Sequence, residues 1–112
     1  MKHTLIVARI ADGAERAVAD IFAASDETEL PGRIGVRSRT LFGFHGLYLH
    51  LITADDDVRS TVEHSRQDPL FRRVSEDLRP HIAPYDPRTW RSPADAMATP
   101  FYHWENQEVT GS

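Results

Sequence analysis

The sequence predicts an α+β domain, a four-stranded antiparallel sheet with helices on one face, in the order β-α-β-β-α-β. Three observations predict it. Apolar residues alternate near the N-terminus and again between Ile34 and Ala54, which is the period of strands. Between Asp12 and Ser25, and again from Asp57 to Leu78, they recur every three or four positions instead, which is the period of helices. A two-residue turn signal, His45-Gly46, separates the two central strands and makes them an antiparallel hairpin. This order of elements is the ferredoxin-like arrangement.

In the first strand, Leu5 and Val7 point one way and Thr4, Ile6, Ala8 and Ile10 the other. Both sets are largely apolar, so the strand belongs in the sheet interior. Asp12, with Glu15 three residues on, reads as a capping-box start for the first helix. Ala14, Ala17, Val18, Ile21, Phe22 and Ser25 share one face of that helix. Pro31-Gly32 breaks it. The hairpin strands cover about 34–44 and 47–54. Asp55-Asp56-Asp57 closes the second and supplies an N-cap to a helix carrying Val58, Thr61, Val62 and Ser65. Asp68-Pro69 restarts a helix, because proline's missing N–H costs nothing in a first turn. Leu70, Phe71, Val74 and Leu78 form its buried stripe, and Pro80 ends it. Residues 85–97 form a Pro-rich connector with room for one short helical turn. Ala98–Glu105, ATPFYHWE, reads as the last strand. The expected domain is 1–105, followed by a polar tail over 106–112.

At 112 residues the chain makes one domain, large enough for a real core. Thirteen Lys and Arg stand against seventeen Asp and Glu, with no basic stripe, so nucleic acid is not an expected partner. The chain has no cysteine, which removes disulfides, thiolate nucleophiles and Cys-based metal sites. No apolar stretch approaches the roughly 20 residues of a membrane span. No membrane partner is therefore expected, and the default location is cytoplasmic. The three consecutive aspartates lack the alternate spacing and glycine of a calcium loop. The six histidines show no H-x-x-x-H pair, and no glycine loop is built to cradle a phosphate. No metal and no nucleotide are expected.

The hairpin turn fixes a register: Phe44 opposite Leu47, Phe42 opposite Leu49, Thr40 opposite Leu51. The other face then carries Arg39, Leu41 and Gly43 with Tyr48, His50 and Ile52. Both faces hold large apolar side chains, although helices can cover only one of them. Leu41, Tyr48 and Ile52 read as a patch covered by a second subunit, so a homodimer is expected, joined either by sheet-to-sheet contact or by exchange of the last strand. Arg39 and His50 share this face, one pair off direct opposition, and can converge. A histidine exchanges protons near neutral pH, and an arginine stabilises an oxyanion without losing its charge. Asp26 and Ser25 end the first helix, where local backbone bonding is the simplest role for them. Tyr48 and Tyr102 are strand aromatics, suited to packing.

The run Glu29-Leu30-Pro31, the segment IGVRSRTLFGFHGLYLHL from Ile34 to Leu51, and Ala54-Asp55-Asp56-Asp57 carry a resemblance. Asp68-Pro69-Leu70-Phe71, Pro84-Tyr85, and Phe101-Tyr102 with Trp104 extend it over about residues 3–105. By these motifs the chain resembles the aromatic polyketide cyclases of the tetracenomycin F2 cyclase type. The resemblance implies a dimeric α+β barrel and a cofactor-free enzyme that closes a ring in a partly cyclised poly-β-keto intermediate. It also implies functional positions at Arg39, His50 and Asp26. The family pattern places a histidine just before that aspartate, where this chain has Ser25.

The expected reaction is an intramolecular aldol condensation with dehydration. His50 is the proton shuttle, Arg39 stabilises the enolate or alkoxide, and Asp26 orients or receives a proton. Ser25, Leu41, Tyr48, Ile52 and Tyr102 are the expected substrate-binding wall, which brings the reactive ends together. The small-molecule partner is a polyketide, and other enzymes of its pathway are further candidate partners. Two other readings of the same residues are a cofactor-independent monooxygenase acting on an aromatic polyketide and a non-catalytic polyketide-binding subunit.

Overall fold

The computed structural model describes residues 1–91 and 93–106. Its elements are β1 (Lys2–Ile10), α1 (Glu15–Asp26), α2 (Leu30–Ile34), β2 (Val36–Phe44), β3 (Leu47–Ala54), α3 (Val58–Ser65), α4 (Pro69–Leu78) and β4 (Ile82–Pro84), with a short 3₁₀ turn over Pro93–Ala96. The four strands form one antiparallel sheet in the order β2-β3-β1-β4, so the ferredoxin-like α+β reading holds.

The hairpin register is as the turn dictates. His45 and Gly46 both have positive φ, 49° and 79°, which is the turn that matches strand twist. Phe44 pairs with Leu47, Phe42 with Leu49 and Thr40 with Leu51. Asp57 and Asp68 cap α3 and α4, each side chain accepting a backbone N–H two residues on, from Arg59 and Leu70.

Several expectations are corrected. Asp12 does not cap α1; the N-cap is Ala14, with no side-chain bond, because a turn with Gly13 at φ 75° intervenes. Pro31 ends nothing further. It opens the short helix α2, which takes Ile34 out of the second strand and closes at Gly35 with φ 84°. Ala98–Glu105 is not the fourth strand. The place beside β1 is taken by Ile82–Pro84, a three-residue edge strand that tolerates its proline. Met97 continues that edge as an isolated bridge to Ile6. Beyond Ala98, whose N–H reaches the Leu5 carbonyl at 2.7 Å, the segment has no neighbouring strand among the described residues. Phe101, Tyr102 and Trp104 are exposed there. Residues 107–112 of the expected tail lie outside the described residues.

The face expected to meet a second subunit is the helix-covered one. Tyr48 and Ile52 are each 4 % exposed, and Leu41 packs against the cluster of Val18, Phe22 and Tyr48. The opposite face carries Leu5, Val7, Leu47, Leu49 and Leu51, half-buried, with Phe42 and Phe44 exposed. Alternation alone leaves open which face a helix takes; α1 settles it by packing Val18 and Phe22 on the Tyr48 side.

The interior has two centres. Ala8, Ala14, Val18, Phe22 and Tyr48 make one; Ile52, Ala54, Val58, Val62 and Met97 make the other, and Ile6 packs against both. The stripe of α4 is half-buried and not buried. Phe71, Val74 and Leu78 wall a cavity that opens between helix and sheet.

Candidate active site

The cavity measures about 390 Å³, within the range of small-molecule sites. Apolar side chains from β1, α1, β3 and α4 line most of it, among them Ile6, Phe22, Ile52, Phe71 and Val74. The stretch after β4 adds Trp90 and Pro93.

One polar line crosses this apolar space. Arg39 on β2 points across the sheet face toward the C-terminal end of α1. Its Nε lies 3.0 and 3.1 Å from the two carboxylate oxygens of Asp26, and its Nη2 is 2.8 Å from Oδ1. Such a fork holds the guanidinium in one orientation. Arg39 Nη1 lies 3.1 Å from His50 Nε2. This follows from register: Arg39 pairs with Ile52 and His50 with Leu41, so the two side chains sit on one face, one pair apart. His50 Nδ1 in turn lies 3.0 Å from the hydroxyl of Tyr48, two residues back on the same strand face. Phe22 packs its ring edge-on against His50, with centroids 4.9 Å apart, and under the guanidinium, 4.8 Å from its central carbon.

Burial sets the protonation of this line. His50 is 3 % exposed, and burial followed by the Arg39 charge lowers its pKa to about 3. The imidazole is therefore neutral near pH 7, and the near-neutral titration expected of His50 does not occur. Burial raises the Tyr48 hydroxyl well above the usual phenol value, against a smaller opposing effect of Arg39. Tyr48 stays protonated.

The structure thus joins Asp26, Arg39, His50 and Tyr48. It also places Ser25 and Ile52 on the cavity wall. Two expected binding residues are elsewhere: Leu41 packs in the core beside the cavity, and Tyr102 is 80 % exposed and does not line it. The expectation for Tyr102 rests on a strand over 98–105, and no strand forms there among the described residues. Phe22, Phe71, Val74, Leu78 and Trp90 line the site without having been singled out for it. The helical spacing of the first four reads as core, and a core stripe and a pocket wall share one pattern; Trp90 lies in the connector after β4. Asp55 and Asp57 have other partners, Asp55 with Arg37 and Asp57 at the cap.

Fold and site together define a small α+β protein with an apolar pocket and an arginine clamped by a carboxylate at its wall. The chain belongs to the polyketide synthesis cyclase family, whose pattern it matches over residues 2–105. Tetracenomycin F2 cyclase from Streptomyces glaucescens is 44% identical over 102 residues, 91% of this chain and 93% of that protein. Its solved structure, described as a type-II polyketide cyclase, superposes with a TM-score of 0.88 at 42% identity, covering 95% of this chain and 99% of the other. A protein from Streptomyces cyaneus named polyketide synthase CurG is 46% identical over 105 residues, 94% of this chain and 98% of its own. A further relative from Streptomyces coelicolor, 54% identical over 106 residues, covers 94% of this chain and 96% of its own length. Among the described residues no helix is long and apolar enough to cross a membrane.

Proposed function

We propose that this cyclase closes a ring of a partly cyclised aromatic poly-β-ketone by intramolecular aldol condensation and dehydration. The observation that carries the reading is a guanidinium clamped by Asp26 at the wall of a roughly 390 Å³ apolar cavity. A methylene between two ketones is already acidic, so no strong base is needed. What ring closure needs is a fixed positive charge where the enolate and then the alkoxide develop, and a wall that brings the reacting carbons together. Arg39 supplies the charge, Asp26 holds it in place, and the apolar side chains fold the substrate and exclude water. Its own residues supply this chemistry without a bound cofactor. Incubating the purified protein with partly cyclised poly-β-ketones and identifying the products is the direct test. The expected outcome is one ring-closed product, lighter than its precursor by one water. A product distribution equal to the enzyme-free control overturns the reading. Oxygen consumption during turnover would point to a monooxygenase instead.

The reading includes a homodimer acting in the cytoplasm. Its support is the helix-free sheet face, where Phe42 and Phe44 are 50 % and 63 % exposed beside a row of leucines. Light scattering should give twice the chain mass at concentrations on the order of tens of micromolar. Phe42→Glu with Phe44→Glu should shift the population to monomer. A wild-type monomer under those conditions overturns the dimer.

A further inference from the structure

The polar line in the cavity determines its own hydrogens. A guanidinium has five donors and no acceptor. The 3.1 Å contact from Arg39 Nη1 to His50 Nε2 therefore makes Nε2 the acceptor, and that nitrogen carries no proton. A neutral imidazole then bears its hydrogen on Nδ1, which lies 3.0 Å from Tyr48 Oη. His50 donates and the phenol oxygen accepts. The phenol's own O–H cannot point back along the same bond. Among the described residues His50 is the one hydrogen-bond partner of that hydroxyl. Tyr48 is among the residues lining the cavity, so its hydrogen is left to bond an oxygen held there.

We propose that Tyr48 is the proton-donating catalytic residue of the ring closure, and that His50 is a positioning residue whose tautomer, fixed by Arg39, turns the Tyr48 hydroxyl toward the substrate. This assignment rests on the cyclase reading above. The step balances without any co-reactant. The enol carbon of the substrate bonds to the acceptor carbonyl carbon, and the carbonyl π pair moves onto its oxygen. Tyr48 gives its proton to that oxygen. The enol oxygen becomes a ketone, and the proton it releases restores the Tyr48 phenolate to the phenol. Arg39, two links along the line, offsets the negative charge while it exists.

Two simple ligands and four proteins test this. Naphthalene probes the apolar cavity alone, and 2-naphthol, titrated through its own ionisation, probes a donor aimed at an oxyanion. Wild-type protein should bind the naphtholate more tightly than naphthalene. Tyr48→Phe should lose that preference by about 10-fold or more and keep naphthalene binding. In ring closure of a poly-β-ketone, Tyr48→Phe should lower kcat by about 10²-fold with little change in KM. His50→Leu should lose a similar factor. His50→Gln can accept from Arg39 and donate to Tyr48 through its amide, so it should restore most of what His50→Leu loses. A ¹⁵N spectrum of wild-type His50 should show hydrogen on Nδ1 and a bare Nε2 across the neutral range; this needs no variant to fold. Naphtholate preference surviving in Tyr48→Phe, hydrogen on Nε2, or His50→Gln as inactive as His50→Leu each overturns the assignment. If naphtholate preference depends on Tyr48 but the wild type closes no poly-β-ketone, the donor geometry stands and the cyclase reading falls.

Discussion

Arg39→Ala should lower ring-closure turnover by about 10²-fold or more, because it removes the cation that Asp26 clamps at the cavity wall and the anchor for what lies behind it. Three consequences follow from the geometry. The charge that stabilises an enolate or alkoxide is gone. The Nε2 of His50, buried and bonded to Nη1, loses the partner that fixes its tautomer. Asp26, 40 % exposed at its side chain, is released but remains solvated, so its loss of pairing is mild. The fold should therefore survive, and circular dichroism and urea unfolding of the variant should resemble wild type to within about 2 kcal/mol. Arg39→Lys should recover only part of the activity. An ammonium cannot span both Asp26 oxygens and His50 at once, as the fork does at 2.8 to 3.1 Å. Kinetics unchanged in both variants would remove Arg39 from the reaction.

The legible part of this site was its register. Arg39, Tyr48 and His50 lie on two strands joined by a two-residue turn, and such a turn leaves no freedom over which side chains share a face. The side of the sheet on which α1 packs was not legible, because both faces of the hairpin are apolar. For that reason Leu41, Tyr48 and Ile52 looked like an exposed patch and are instead core and pocket wall. The fourth strand failed for a different reason. ATPFYHWE has the composition of a strand, but a strand also needs a neighbour, and the β1 edge is already filled by Ile82–Pro84 and Met97. Protonation was the third gap. The ordinary pKa of histidine made His50 look like a near-neutral shuttle, whereas its burial and its arginine neighbour are properties of the folded pocket alone.

That same burial makes wild-type stability fall in mild acid. The His50 pKa is lowered from 6.5 to about 3, first by burial and then by Arg39. Between those values the unfolded chain holds a proton at this position and the folded chain does not. Stability rises with pH wherever the unfolded state binds more protons, so the contribution of His50 is complete above about pH 6.5 and is lost progressively as the pH falls toward 3. Going from pH 7 to about 4.5 should cost about 3 kcal/mol, a large share of what a domain this size has. Asp68 and Asp86, held low by Arg33 and Arg88, add their own acid loss, but as carboxylates they titrate lower and do so equally in any His50 variant. His50→Gln isolates the effect. Its amide does not titrate, so urea unfolding of the variant should lose about 3 kcal/mol less than wild type over the same pH step. Parallel stability curves for the two proteins from neutral pH to about 4.5 would mean that native His50 takes up its proton as the unfolded chain does and is protonated at the acid end of that range. In that case Arg39 could not donate to its Nε2, and the line from Asp26 to Tyr48 would be broken in the middle.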